Sequence, residues 1–190
     1  LDPAYESDII RTFATMVEKG LIYQSQKPVQ WSYGAKTALA EAEVEYQDKK
    51  SIAIFVKFPV AETSSLPANF PKDAAFAIWT TTPWTLPANR GIAVHERFNY
   101  VLGRFSKDET ADQNIIIVRE LLETFQEKTG LKLEEELLEI KGSELVGLEA
   151  QHPFLDQKSK VILAPFVTTE TGTGAVHIAP GHGADDYSVG

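Results

Sequence analysis

Hydroxyls, imidazoles and carboxylates are concentrated in two stretches of this chain. The first, Ala77-Ile78-Trp79-Thr80-Thr81-Thr82-Pro83-Trp84-Thr85-Leu86-Pro87-Ala88-Asn89, sets four threonines and two tryptophans among two prolines. Each proline fixes φ and removes a backbone donor, so the chain must leave any regular ladder here. Thr82 and Leu86, each before a proline, are pushed toward extended geometry. The expected product is a stiff, irregular segment with hydroxyls beside an indole. Such a segment suits a small pocket that measures an apolar group while holding a polar one. A proline-flanked edge strand would carry similar residues.

The second stretch runs from Thr169 through Gly172-Thr173-Gly174-Ala175-Val176-His177-Ile178-Ala179-Pro180-Gly181-His182-Gly183-Ala184-Asp185-Asp186-Tyr187. Its Thr/Gly-rich start permits close approach of backbone to a ligand. Residues 175–179 read as a strand and 180–183 as a turn. Asp185 or Asp186 is placed to open a helix, where a carboxylate meets free N–H groups. Two adjacent aspartates exceed the need of one cap. His177, His182 and a carboxylate are suitable metal ligands, but their spacing matches no standard motif. His177 could activate a serine or threonine nucleophile, yet there is no G-x-S-x-G elbow. The T-G-T-G run lacks the lysine of a phosphate-binding loop.

Read together, T-T-T-P-W-T-L-P-A-N and G-T-G-A-V-H-I-A-P-G-H-G-A-D-D-Y resemble the two signatures of the editing (connective-peptide) domain of bacterial-type isoleucyl-tRNA synthetase, a class I aminoacyl-tRNA synthetase. The resemblance runs from near residue 1 to residue 190 and identifies an inserted domain, not a whole synthetase. It implies an α+β, mainly β fold: a barrel-like core decorated with a few helices. It also implies hydrolytic proofreading of Val-tRNA(Ile), with valyl-adenylate as a second candidate substrate. Valine and isoleucine differ by one methylene, for which a pocket extracts only about 1–3 kcal/mol, this pair being the standard illustration of that limit. A second site that hydrolyses the smaller ester supplies the remainder.

By the same resemblance Asp186 holds the substrate ammonium, and His177 lines the side-chain pocket and rejects isoleucine. Thr80, Thr81, Thr82 and Thr85 surround the ester and terminal ribose, and Trp84 shapes the wall. Asn89 and His182 lie within the matching stretches as further substrate-binding candidates. Water is the expected nucleophile, acting by positioning and oxyanion stabilisation. Neither metal nor cofactor is implied for the editing step; ATP and magnesium belong to aminoacylation by the full-length synthetase. The implied partners are the valine-charged acceptor end of tRNA(Ile) and the rest of the synthetase. The valyl-tRNA synthetase editing domain, which rejects threonine, is the nearest alternative, but that family usually has lysine where His177 stands. A tRNA-binding module without catalysis is the other. Family members often carry Cys or Ser-Pro after the tryptophan at position 31; Ser32-Tyr33-Gly34-Ala35-Lys36 stands here and rules out a zinc knuckle there.

The rest of the chain must position these residues. At 190 residues, one domain is expected, residues 1–20 forming part of the connection to a catalytic body. Residues 3–19 show helical spacing of Ile9, Ile10, Phe13, Met16 and Val17, with Asp2 as cap, Pro3 in the first turn and Gly20 at the end. Residues 21–31 read as extended. Ala42, Val44 and Tyr46 alternate with Glu41, Glu43 and Glu45, as in a half-buried strand. Further strands are expected at 52–58, 91–94, 100–105, 115–118, 140–150 and 161–167. A helix is expected over 119–128 with Leu121, Leu122 and Phe125 inward and Gly130 at its end. Residues 59–73 and 106–112 read as loops. Many short strands with turns point to a barrel or curled sheet.

There is no cysteine, and no apolar run approaches the roughly 18 residues of a membrane span. The acidic start with its early proline does not resemble a signal peptide, and a cytoplasmic location is expected. The net charge of −9 is unlike a free-standing nucleic-acid binder. Glu134-Glu135-Glu136 with Glu139 reads as a solvated face or loop. Arg90, Arg97 and Arg104 are the candidates for meeting tRNA phosphates, and weak tRNA binding by this piece alone is expected.

Overall fold

The computed structural model describes residues 2–61, 70–107 and 112–190. Its core is built from two sheets. The larger contains β3 (Ile54–Pro59), β4 (Ala75–Thr80), β6 (Asn99–Ser106), β7 (Gln113–Val118) and β8 (Lys132–Lys141), in the order β3-β4-β7-β6-β8. The smaller contains β5 (Gly91–Val94), β9 (Glu149–Gln151), β10 (Lys158–Leu163) and β11 (Val176–Ile178), in the order β11-β5-β10-β9. β4 with β7 and β5 with β10 are parallel; the other pairings are antiparallel.

Period-two alternation divides the larger sheet between two cores. On β7, Ile116 and Val118 join a cluster with Phe58, Phe76, Ile78, Ile92 and Leu102. Ile115 and Ile117 face the other way, onto Phe105, Phe125 and Leu131. β4 is sandwiched between these layers, which is why Ala75 to Ile78 read as a continuous apolar run and not an alternation. The helix α2 (Leu122–Thr129) covers the second core. Phe125 packs edge-on to Phe55 and Phe105 at centroid distances of 5.4 and 5.7 Å.

The fold is mixed α and β as expected, but the barrel does not close. The two sheets meet at the bridge Val60↔Ala150, beside a 2.7 Å bond from the Ala61 N–H to the Glu149 carbonyl. No ladder among the described residues joins β8 to β11. The free edge of β8 is blunted by charge: Arg119 pairs with Glu136 at 2.8 Å and Glu139 at 2.5 Å, and Arg104 with Glu135 at 2.8 Å. The acidic run is the expected solvated face, Glu134, Glu135, Glu136 and Glu139 all being exposed, but it lies on a strand and not a loop. Two register shifts against β6 break the alternation that would have revealed it.

Other expectations need correction. The alternating 42–46 segment is no strand: Glu41–Glu43 is a 3-10 turn in which Glu43 Oε2 accepts the Ala40 N–H at 2.7 Å, and Tyr46 is 91% exposed. No sheet edge receives it. The 140–150 strand is interrupted by a 3-10 turn at Gly142–Glu144, where the Glu144 carboxylate accepts the Lys141 N–H at 2.9 Å; β9 begins only at Glu149. The 161–167 strand starts earlier and stops at Leu163. In the 119–128 segment a 3-10 turn, Arg119–Leu121, precedes α2, which ends at left-handed Gly130 (φ 72°). Residues 62–69 and 108–111, within the two expected loops, lie outside the described residues.

The helix α1 (Pro3–Glu18) forms where expected, with the Asp2 carboxylate accepting the Ala4 N–H at 3.0 Å, but none of its residues is buried. A short hairpin follows, β1 (Gln30–Ser32) with β2 (Thr37–Leu39); residues 21–29 join no ladder. No described residue before Phe58 is buried.

Candidate active site

The two chemistry-bearing stretches converge because the strand after one pairs with the strand inside the other. β5 follows the threonine segment and lies antiparallel to β11, with His177 opposite Ile92 and Ile178 opposite Gly91. The Arg90 N–H donates to the Ile178 carbonyl at 2.8 Å and extends that pairing toward the threonines.

The threonine segment folds by a rule of three. Pro83–Ala88 is a 3-10 helix, with Thr82 at its N-cap. Three residues per turn give it three faces. Leu86 and Asn89 are buried, Trp84 and Pro87 are exposed, and Thr85 is half-buried toward His177. Leu86, expected to be extended, lies inside this turn. Trp84, expected to shape the wall, points away and is 70% exposed. The indole of the site is Trp79, at the end of β4.

The second stretch is anchored from behind. The buried Tyr100 hydroxyl donates to the Gly174 carbonyl at 2.6 Å and accepts the His95 N–H at 3.0 Å; burial raises its pKa to about 12. The Val118 N–H donates to the Thr173 carbonyl at 3.0 Å. Gly174 has φ +73°, and a Cβ there would run into Val118, so glycine is required twice over. The 180–183 turn is closed by the His182 N–H on the Ala179 carbonyl at 2.8 Å. Helix α3 (Ala184–Val189) follows with Gly183 as its N-cap, so neither aspartate caps it. Asp186 reaches back instead, and its Oδ2 accepts the Ala179 N–H at 3.2 Å.

Between the stretches lies a cleft of about 310 Å³. Thr80, Thr81, Thr82, Thr85, His177, His182 and Asp186 line it, as do residues the sequence reading passed over: Trp79, Phe166, Thr168 and Thr171. Trp79 adjoins the quoted threonines and Thr171 lies in the Thr/Gly run. Phe166 and Thr168 carried no local signal. Thr80 Oγ1 accepts the Thr82 N–H at 3.0 Å and lies 3.2 Å from Thr82 Oγ1, so the hydroxyls are held as a cluster. Asn89 is not in the cleft. It is fully buried behind His177, its Nδ2 3.5 Å from His177 Nδ1.

The cleft has a definite charge character. Asp186 is the one carboxylate among its lining residues, and none of them is lysine or arginine. A phosphate would find no counter-charge here, whereas a small cation would find one. His177 is 8% exposed, with Nε2 3.0 Å from Thr85 Oγ1. Burial lowers its pKa below the ordinary value even though the charge of Asp186 works in the opposite direction. The cleft therefore offers an anionic oxygen, a neutral imidazole and a group of hydroxyls. Of the three candidate arginines, Arg104 is paired with Glu135; Arg90 and Arg97 make no ion pair among the described residues.

Comparison with known proteins agrees with this architecture. Over 189 residues the chain is 50% identical to an isoleucine–tRNA ligase of Desulforamulus reducens, and over its whole length 48% identical to one of Bacillus mycoides. It spans 99% and 100% of its own length in these matches but only 19% and 20% of those proteins. Among solved structures it resembles the Plasmodium knowlesi cytosolic leucyl-tRNA synthetase editing domain, with TM-score 0.58 and 18% identity over 71% of this chain and 59% of that one. It likewise resembles the structure described as GlLeuRS-CP1, with TM-score 0.56 and 18% identity over 72% and 58%. These structural likenesses establish a shared fold. Residues 1–171 match the family described as tRNA synthetases class I (I, L, M and V), and the chain belongs to that family.

Proposed function

We propose that this chain is the editing domain of an isoleucyl-tRNA synthetase and hydrolyses valine from mischarged Val-tRNA(Ile). The observation that carries the reading is the single cleft in which Asp186, neutral His177 and the threonine hydroxyls face one another with no lysine or arginine among the lining residues.

Each group has a physical task. The Asp186 carboxylate pairs with the α-ammonium of the aminoacyl ester, an interaction an acylated amine or a plain ester cannot make. His177 limits the side-chain space. An uncharged ring suits that task, because an imidazolium there would repel the ammonium it must sit beside. Thr80, Thr81, Thr82 and Thr85 hold the ester and the terminal ribose and orient a water at the carbonyl. The hydroxyls and nearby backbone N–H groups stabilise the developing oxyanion. No covalent intermediate and no cofactor enter this scheme; ATP and magnesium serve aminoacylation by the longer protein. The working partners are the tRNA(Ile) acceptor end and the remaining synthetase chain, in the cytoplasm. At a net charge of −9, tRNA affinity resides mostly in that remainder.

Deacylation of Val-tRNA(Ile), Ile-tRNA(Ile) and Thr-tRNA(Val) tests the reading, using both the chain and a synthetase that contains it. Val-tRNA(Ile) should be cleaved fastest. Asp186→Ala should slow its cleavage by roughly 10- to 100-fold, from the ~1.5–3 kcal/mol of a charge-assisted hydrogen bond. His177→Ala should let Ile-tRNA(Ile) be cleaved, shrinking a discrimination worth about 1–3 kcal/mol. Unchanged valine release by the Asp186 variant, or preferred cleavage of Thr-tRNA(Val), would remove the assignment.

A further inference from the structure

Behind the cleft the polar groups form a chain with one direction. Asn89 and Ser159, both fully buried, meet through the Ser159 hydroxyl and Asn89 Oδ1. Asn89 Nδ2 donates to the Gly91 carbonyl at 2.9 Å. The Asn89 backbone carbonyl is held by Gln157 Nε2 at 2.9 Å. A carbonyl can only accept, so Gly91 requires the NH2 of Asn89 on its side, and Ser159 is left to donate to Oδ1. The second Nδ2 hydrogen then faces His177 Nδ1, 3.5 Å away. A nitrogen facing a donor presents its lone pair, which puts the ring proton on Nε2. There it donates to Thr85 Oγ1 at 3.0 Å, and Thr85 Oγ1 donates to the Thr82 carbonyl at 2.9 Å.

We propose that Ser159 is a positioning residue for this site: acting through the Asn89 amide, it holds His177 as the Nε2–H tautomer, with neither ring nitrogen available to take a proton from water in the cleft. Ser159 lies on β10, across β5 from the strand that carries His177. It is not among the residues that line the cleft, which is why no motif marks it. Removing its hydroxyl leaves Asn89 Oδ1 buried without a donor. Turning that oxygen toward a proton on His177 Nδ1 recovers a donor but gives up the amide's bond to the Gly91 carbonyl, so the two orientations come close in energy and both are populated. In the turned orientation the ring would carry its proton on the wrong nitrogen, and the bond to Thr85 would have to reverse. The consequence for selectivity rests on the proofreading reading; the tautomer assignment does not.

The test is a long-range proton–nitrogen correlation spectrum of the histidine-15N-labelled full chain at about pH 8, above the ordinary range of histidine. His177 is assigned by its absence from the spectrum of His177→Gln. Wild type should show a protonated, pyrrole-like Nε2 and a pyridine-like Nδ1. In Ser159→Ala the two nitrogen shifts should move toward each other as the tautomers mix, and the ratio of valyl to isoleucyl ester cleavage should fall about tenfold or less. Ser159→Thr, which keeps the hydroxyl, should restore the wild-type pattern. A pyridine-like Nε2 in wild type overturns the proposal with no variant needed, as does an unchanged spectrum in a folded Ser159→Ala. If the tautomer is as proposed but wild type leaves Val-tRNA(Ile) intact, the proofreading reading fails and the tautomer assignment stands.

Discussion

His177 shows how one buried side chain makes stability depend on pH. Burial is the largest influence on it and favours the neutral ring; His152 and His182 act in the same sense, while Asp186 opposes them. The folded state therefore resists a proton that the unfolded chain accepts near pH 6.5. The unfolded state binds more protons across the interval below that value, so stability rises with pH there. The contribution of His177 is fully present above about 6.5 and is lost as pH falls through the lower folded value. Urea midpoints should accordingly begin to decline as pH falls below about 6.5, before most carboxylates titrate. His177→Gln should flatten that slope. An equally steep decline in the variant would place the titrating group elsewhere.

At the scale of elements, the 3-10 turn Pro83–Ala88 makes the sharpest prediction, because its three faces assign opposite fates to neighbouring residues. Trp84→Ala should change stability by no more than about 0.5 kcal/mol, as is usual for surface sites. Its valine-releasing rate should match wild type. Leu86→Ala, two positions on, removes a side chain that is 4% exposed and should cost about 2–5 kcal/mol in urea unfolding. His152→Ala should cost about 1–3 kcal/mol as well, because its Nδ1 accepts the Phe154 and Leu155 N–H groups at 3.3 and 3.1 Å, and its Nε2 holds the Leu86 carbonyl at 2.9 Å, which would keep only the Asn89 N–H. This turn also marks where sequence reading stopped being sufficient. The threonines, His177 and Asp186 were legible because they sit in compact runs rich in one chemistry. The rotation that turns Trp84 outward depends on three-residue periodicity, and the prolines had pointed to extended backbone instead. The strands β5, β6 and β7 were legible from apolar runs that are buried on one or both faces. β8 was not, because Glu134-Glu135-Glu136 hides its period behind two register shifts, and charge at an exposed edge is protective rather than exceptional. The 42–46 alternation failed for the converse reason: a period-two pattern makes a strand only where an edge exists to receive it. Gln157 and Ser159 were invisible because what matters about them is contact with Asn89 across a sheet.

The molecule as a whole is unevenly stabilised. The buried members of the three hydrophobic clusters begin at Phe58 or later, whereas α1 displays Ile9, Ile10 and Phe13 at 54%, 68% and 55% exposure. A contiguous apolar helix face in water is an interaction surface or an aggregation liability. The relatives at 48–50% identity are about five times longer than the span matched here, and on the function proposed above the rest of such a chain is what would cover α1. It follows that the core should barely register the loss of everything before residue 49. One tie is the Tyr187 hydroxyl on the Gln26 carbonyl at 2.5 Å, an exposed bond worth about 0.5–1.5 kcal/mol. Ser51, whose hydroxyl donates to the Thr81 carbonyl at 2.8 Å and steadies the threonine segment, would be retained. A chain starting at residue 49 should unfold cooperatively with a free energy within about 1.5 kcal/mol of the full chain. It should also self-associate less in sedimentation at the same concentration, because the exposed apolar helix is gone. A broad, non-cooperative transition in that truncation would mean that the first 48 residues support the two sheets through contacts weaker and more numerous than burial reveals.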